Sequence, residues 1–128
     1  MADRIFLQTG AEPLKNEIAT TNFLVAQNKK TTIRFLAVSK AKGIRTPDIE
    51  MNGMKWEIKN PRKNGKYTLD HAMKSALKQS HNVIFDLRQC IISERNAVNK
   101  LKKDFKTVKI LKRLIIITKS RRCLHFEK

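Results

Sequence analysis

The chain has 128 residues, of which 41% are hydrophobic and 30% are charged, which suits one domain with one modest core and excludes a disordered chain. Its 28 Lys and Arg residues outnumber its 11 Asp and Glu residues and leave a net charge of +17. Such a surface favours a polyanionic partner, with nucleic acid ahead of an acidic protein or an anionic membrane. There is no run of about 18 apolar residues and no signal-peptide stretch, so we expect a soluble domain without a membrane span. It can still be a piece of a larger exported protein.

Hydrophobic spacing predicts helices that alternate with strands along the chain. The first half reads as a helix over 11–28, a strand over 32–37, a basic loop over 40–45 and strands over 47–51 and 55–59. The second half reads as a helix over 68–79, a strand over 82–87, a helix over 93–106 and strands over 114–118 and 123–126. This order predicts one α/β (α+β) domain over residues 1–128, with a mixed central sheet flanked by helices.

The segment around Asn52-Gly53 carries the most informative side chains. Asn-Gly between two strands is a strong hairpin signal, and it places Asp48 beside Glu57 on the neighbouring strand. Because side chains alternate along a strand, Glu57 and Lys59 point to one side of the sheet and Ile58 points to the other. Trp56 is expected in the core for the same reason.

Two carboxylates and an amine in one patch suit hydrolysis of a phosphodiester. Carboxylate oxygens hold a hard divalent cation, which polarises the phosphoryl group and lowers the pKa of water. The lysine can orient that water and offset negative charge in the transition state. The competing interpretation is an ordinary salt bridge on an exposed strand.

Pro47-Asp48, then eight intervening residues, then Glu57-Ile58-Lys59 resembles the PD-(D/E)XK signature of the restriction-endonuclease-like superfamily. The predicted αβββαβ order is similar to the core of that superfamily. The resemblance implies a nuclease that uses a divalent metal ion, Mg²⁺, Mn²⁺ or Zn²⁺. It also implies that an acid of the first helix completes the metal site, for which Glu17 is the first candidate and Glu12 the second.

A closer resemblance covers most of the chain. The run TPDIEMNGMKWEIKNP, a basic loop with a glycine, a helix ending in KQS and the strand NVIFDL look like the C-terminal tRNase domains of contact-dependent growth-inhibition toxins. This implies a bacterial toxin that acts on tRNA in the cytoplasm of target cells and has a cognate immunity protein, which we expect to be acidic. Gln79 matches a polar position of those domains, where it would touch substrate or position the lysine.

The loop after the third predicted strand is the best candidate for binding phosphates, through Arg62, Lys63 and Lys66. Asn60 can flank the site, whereas Asp86 is expected to be structural. Two alternatives remain open: a DNA endonuclease of the restriction or mobile-element type, and a basic module that binds nucleic acid without cutting it.

Overall fold

The computed structural model of the protein describes residues 3–38 and 46–128. The predicted basic loop at 40–45 lies outside the described residues. The helices are α1 (Lys15–Gln27), α2 (Thr68–Leu77) and α3 (Glu94–Thr107). The strands are β1 (Ile5–Leu7), β2 (Ile33–Phe35), β3 (Ile49–Met51), β4 (Met54–Lys59), β5 (Asn82–Asp86), β6 (Arg113–Ile117) and β7 (Cys123–Glu127). None of these helices is long and apolar enough to cross a membrane.

Within the described residues, the seven strands form one mixed sheet whose spatial order follows the chain, from β1 to β7. The pairs β1–β2, β4–β5 and β5–β6 are parallel, and the other three pairs are antiparallel. The predicted α/β class, with its mixed sheet and flanking helices, is therefore confirmed. The carboxyl ends of β4, β5 and β6 meet at one edge, which is where site residues gather in this class of sheet.

The N-terminal region differs from the prediction in two ways. The sheet begins with β1, which was not predicted because three residues are too few to show alternation and their parallel partner, β2, lies far along the chain. The first helix begins at Lys15 rather than at residue 11. Pro13 and Leu14 precede it, and Leu14 is 61% exposed, so it does not contribute to the buried side of the helix.

Helices cover both faces of the sheet. On one face α1 packs over a core that includes Ile33, Ile49, Trp56 and Ile58. On the other face α2 and α3 cover the core that includes Val83 and Phe85. The expected burial of Trp56 is thus confirmed. Cys90, which is buried, and Cys123, which is partly buried, are both free thiols.

A buried ion pair between Asp86 and Arg88, at the carboxyl end of β5, is hydrogen-bonded to α1. Burial alone would raise the pKa of Asp86, but hydrogen bonds from Arg88 and Thr20 lower it below its usual value. Arg88 Nε donates to Asp86 Oδ1 at 2.9 Å and Nη2 donates to Oδ2 at 2.8 Å. The Thr20 hydroxyl of α1 donates to the same Oδ2 at 2.5 Å. The guanidinium of Arg88 also lies 4.7 Å from the centre of the Phe23 ring.

Replacement of Arg88 by methionine should destabilise the fold by about 3 kcal/mol, because the buried Asp86 carboxylate loses its counter-charge. Urea unfolding at pH 7 measures this. The matched control is Arg113→Met, which removes a cation from an exposed pair with Glu127 and should cost less than about 1 kcal/mol. Equal losses in the two variants would show that the Asp86 pair is no more important than a surface pair.

Candidate active site

The hairpin of β3 and β4 brings Asp48 next to Glu57, as predicted. Asn52 and Gly53 have φ angles of 54° and 77°, the left-handed conformations that a tight two-residue turn requires. The strands then pair Ile49 with Trp56, so that Asp48 reaches the level of Glu57. There Asp48 Oδ2 accepts a hydrogen bond from the backbone N–H of Ile58 at 2.8 Å.

Glu57 is the most buried carboxylate of this group, with 3% of its surface exposed. Its Oε2 accepts a hydrogen bond from Gln79 Nε2 at 2.7 Å and lies 3.6 Å from Lys59 Nζ. Its Oε1 is also buried and has no hydrogen-bond partner among the described residues. A buried acceptor without a donor is rare in folded proteins, so this oxygen is available to a ligand or to a proton shared with the carboxyl of Asp48.

Helix α2 and the turn that ends it hold both Glu57 and Lys59 in place. Lys59 Nζ donates to Ser75 Oγ at 3.1 Å, and Gln79, one helical turn further on, donates to Glu57. Gln79 therefore contacts the glutamate rather than the lysine, and it also lines a cavity beside Asp48. Ser75 was not predicted from the sequence. The only signal for it was its spacing of four residues from Gln79.

Glu17 lies near this group at the start of α1. The pKa of Glu17 is raised, mainly because the side chain is buried. Its Oε1 accepts a hydrogen bond of 2.9 Å from the Leu14 N–H, and this bond lowers the pKa. The negative charge of Asp48 and a hydrogen bond with its side chain raise the pKa further. Glu17 thus has a structural role, because it binds an unpaired N–H at the helix start. The effect of Asp48 on its pKa shows that the two carboxyl groups are also close enough to interact.

The pKa of Glu57 rises to about 8, first because the group is buried and then because Asp48 places a negative charge and a hydrogen-bonding carboxyl beside it. Glu17 adds to this shift, whereas the positive charge of Lys59 opposes it. Without a cation the group therefore retains a proton at neutral pH.

The free protein should lose stability as the pH rises from about 4.5 to about 8. In that range folded Glu57 holds a proton that the unfolded chain has released, and each unit of pKa difference is worth about 1.4 kcal/mol. Thermal unfolding between pH 5 and pH 9 measures the slope. Glu57→Gln should flatten it, whereas Glu50→Gln, at a partly exposed position of the same hairpin, should not. An unchanged slope in Glu57→Gln would contradict a buried, protonated carboxyl.

The carboxylates suit a divalent cation in part. No three His, Cys, Asp or Glu side chains within residues 3–38 and 46–128 converge closely enough to form a complete metal site. Asp48 and Glu57 nevertheless offer oxygen donors, including the buried Oε1 without a partner. Mg²⁺ commonly binds one or two carboxylates and keeps several waters. Asp48 and Glu57 can supply those carboxylates, and Glu17 lies beside them.

An open cavity of about 320 Å³ adjoins these side chains, and Glu12, Glu17, Asp48 and Gln79 are part of its lining. A larger one, of about 660 Å³, lies between the end of α1 and β7. None of the predicted site residues lines the larger cavity. Three of the predicted site residues, Glu17, Asp48 and Gln79, line the smaller cavity instead.

The loop after β4 presents the predicted phosphate-binding residues, Arg62, Lys63 and Lys66, all of which are exposed. It leaves the sheet directly after Lys59. Asn60 lies close to the Asp86 pair, with its Oδ1 3.2 Å from the Thr20 hydroxyl. Asp86 itself belongs to the structural pair with Arg88, as expected.

Comparison with known proteins places the chain in a family. Residues 45–123, more than half of the chain, match the family model for the contact-dependent growth inhibition CdiA C-terminal domain. The chain is also similar to a solved structure described as a CdiA-CT/CdiI toxin and immunity complex from Burkholderia pseudomallei, with a TM-score of 0.60 and 16% identity over 96% of this chain and 99% of that one. This second likeness supports the fold alone. A search of curated proteins finds no match. The chain belongs to the CdiA C-terminal domain family of contact-dependent growth inhibition, which makes it a toxin domain.

Proposed function

We propose that this domain is a metal-dependent nuclease of the PD-(D/E)XK type. One observation carries the proposal: two carboxylates, Asp48 and Glu57, and the amine of Lys59 converge beside a buried carboxylate oxygen that has no partner. A protein gains no stability from such a cluster, because like charges and burial both oppose ionisation. Strongly shifted pKa values of this kind are concentrated at functional sites.

Asp48 and Glu57 would hold the divalent ion, with Glu17 as the third acid. When bound, the ion would polarise the phosphodiester and lower the pKa of water. Lys59 would donate a hydrogen bond to the oxygens that become negative during the reaction. Ser75 and Gln79 would keep Lys59 and Glu57 in position, so that little rearrangement is needed when substrate binds.

RNA is the proposed substrate, and tRNA in particular. The net charge of +17 and the exposed basic loop after β4 support a polyanionic substrate. Both features would serve DNA equally well. The choice of tRNA rests on the likeness of the TPDIEMNGMKWEIKNP run to tRNase toxin domains.

The test is incubation of total bacterial RNA and of plasmid DNA with the protein in Mg²⁺, Mn²⁺, Zn²⁺ or EDTA. Discrete tRNA fragments that form only with metal would support the whole proposal. Cleavage of DNA alone would retain the site and overturn the choice of substrate. Cleavage of neither would overturn the nuclease, and retained affinity for nucleic acid would then favour the binding module.

We further propose a cognate immunity protein with an acidic surface that covers the basic site. The similar structure from Burkholderia pseudomallei is named as a toxin and immunity complex, and the charge of this chain favours an acidic partner. Membership of the family supports delivery into the cytoplasm of target bacteria as part of a larger exported protein.

A further inference from the structure

A second group of basic side chains lies at the same edge of the sheet as Lys59. The turn between β6 and β7, residues 118–122, carries the exposed residues Lys119, Arg121 and Arg122. Lys59 pairs with Phe85 of β5, and Phe85 pairs with Ile116 of β6, in parallel register. Because parallel strands end at one edge, the turn that follows β6 lies at the edge where β4 and its basic loop leave the sheet.

Hydrogen bonds hold this turn in one conformation. The Thr118 N–H donates to the carbonyl of Arg122 at 2.9 Å, and the Arg122 N–H donates back to Thr118 Oγ1 at 2.9 Å. The Ser120 N–H donates to Glu94 Oε1 at 2.7 Å, and this bond is the main reason that the pKa of Glu94 is lowered. Since Glu94 begins α3, the turn is fixed to the body of the domain.

Arg121 adopts an unfavourable backbone conformation at this turn. Its φ angle is 65°, in the left-handed region that glycine or asparagine adopts at lower cost. Its side chain makes no hydrogen bond or ion pair with other residues of the described part of the chain. Arg122, by contrast, lies 3.7 Å from Glu94. Because Arg121 is held where glycine is preferred and its guanidinium is exposed and unpaired, the side chain is free to bind a ligand.

We propose that this turn is a second phosphate-binding element, in which Arg121 binds the backbone of the nucleic acid that is cut at Lys59. The inference rests on the proposed nuclease function. Neighbouring strands are about 4.8 Å apart, so that β6 lies about 10 Å from β4. A stacked nucleic-acid strand covers that distance in about three nucleotides, at about 3.4 Å each. The planar guanidinium of arginine binds phosphate oxygens in pairs.

The test uses Arg121→Gly, which removes the guanidinium and also suits the left-handed φ, so that the variant should fold at least as well as wild type. Binding of tRNA in EDTA should weaken about fivefold, and the slope of log affinity against log salt should fall by roughly 0.7 to 0.9. Cleavage in metal should show a higher KM for tRNA with an unchanged kcat. An oligonucleotide too short to reach the turn should be cut as in wild type.

The matched control is Lys30→Gly, which removes an exposed charge before β2, at the opposite edge of the sheet, and should leave tRNA affinity unchanged. If Arg121→Gly keeps the wild-type affinity and salt slope while wild type still cuts RNA, the second element is overturned and the nuclease stands. If wild type neither binds nor cuts RNA or DNA, both proposals fall. If wild type cuts DNA alone, the same measurements on DNA decide the role of Arg121.

Discussion

Replacement of Glu57 by glutamine should reduce metal-dependent cleavage by about 10³-fold or more, while the protein remains folded. Glutamine has the shape of glutamate, and its amide oxygen can still accept the hydrogen bond from Gln79. It cannot supply the negative charge that a cation requires. The variant should also be at least as stable as wild type at pH 8, because it removes a buried acid whose pKa is raised to about 8.

Three measurements on Glu57→Gln decide this prediction: the rate of RNA cleavage, calorimetric titration with Mn²⁺, and the melting temperature at pH 8. Asp48→Asn should behave in the same way for cleavage and metal binding. Glu50→Gln is the control, because Glu50 lies on the same hairpin and pairs with Arg34 in solvent. Full activity of Glu57→Gln, with unchanged melting, would remove Glu57 from the proposed active site.

Replacement of Lys59 by methionine should lower the cleavage rate by about 10²- to 10³-fold and leave metal binding intact. Methionine keeps much of the apolar stem but has no donor for a negatively charged oxygen. The positive charge of Lys59 also lowers the pKa of Glu57, so this substitution should raise that pKa further. Metal binding by wild type and by Lys59→Met is therefore compared at pH 9, where a larger fraction of Glu57 is ionised in both proteins than at neutral pH.

Single-turnover cleavage with saturating metal separates this effect from a change in affinity. Lys55→Met is the matched control, since Lys55 is an exposed lysine on the same strand and face and should have little effect. A loss of metal binding in Lys59→Met at high pH would assign the lysine to the metal site instead of to the reaction. Equal rates in Lys59→Met and Lys55→Met would show that Lys59 takes no part in cleavage.

Short-range rules were enough to predict the arrangement of the central motif. The Asn-Gly turn and the alternation of side chains place Asp48 beside Glu57 and put Glu57 and Lys59 on one face. The same alternation buries Trp56 and Ile58 under α1. These features depend on residues close together in the chain, which is why they can be predicted from one sequence.

The supports of the site could not be predicted in this way. Nothing in the sequence distinguishes Ser75 and Arg88 from other polar residues. Only the folded structure places Ser75 against Lys59 and Arg88 against Asp86. The N-terminal strand β1 pairs with β2, which lies far along the chain, so β1 was missed. The left-handed conformation of Arg121 likewise depends on how its turn is held, in part by the hydrogen bond from the Ser120 N–H to Glu94, and no local signal predicts an arginine there.

The sequence by itself therefore determined the class of fold, the basic character of the domain and the Asp48, Glu57 and Lys59 motif, all of which follow from composition and local periodicity. Only the tertiary structure decided that Glu57 is buried with one oxygen unpaired, that its pKa rises to about 8, and that Glu17 also caps its own helix. The physical reason is that desolvation and charge coupling depend on which distant residues exclude water from a group, and that information exists only after the chain has folded.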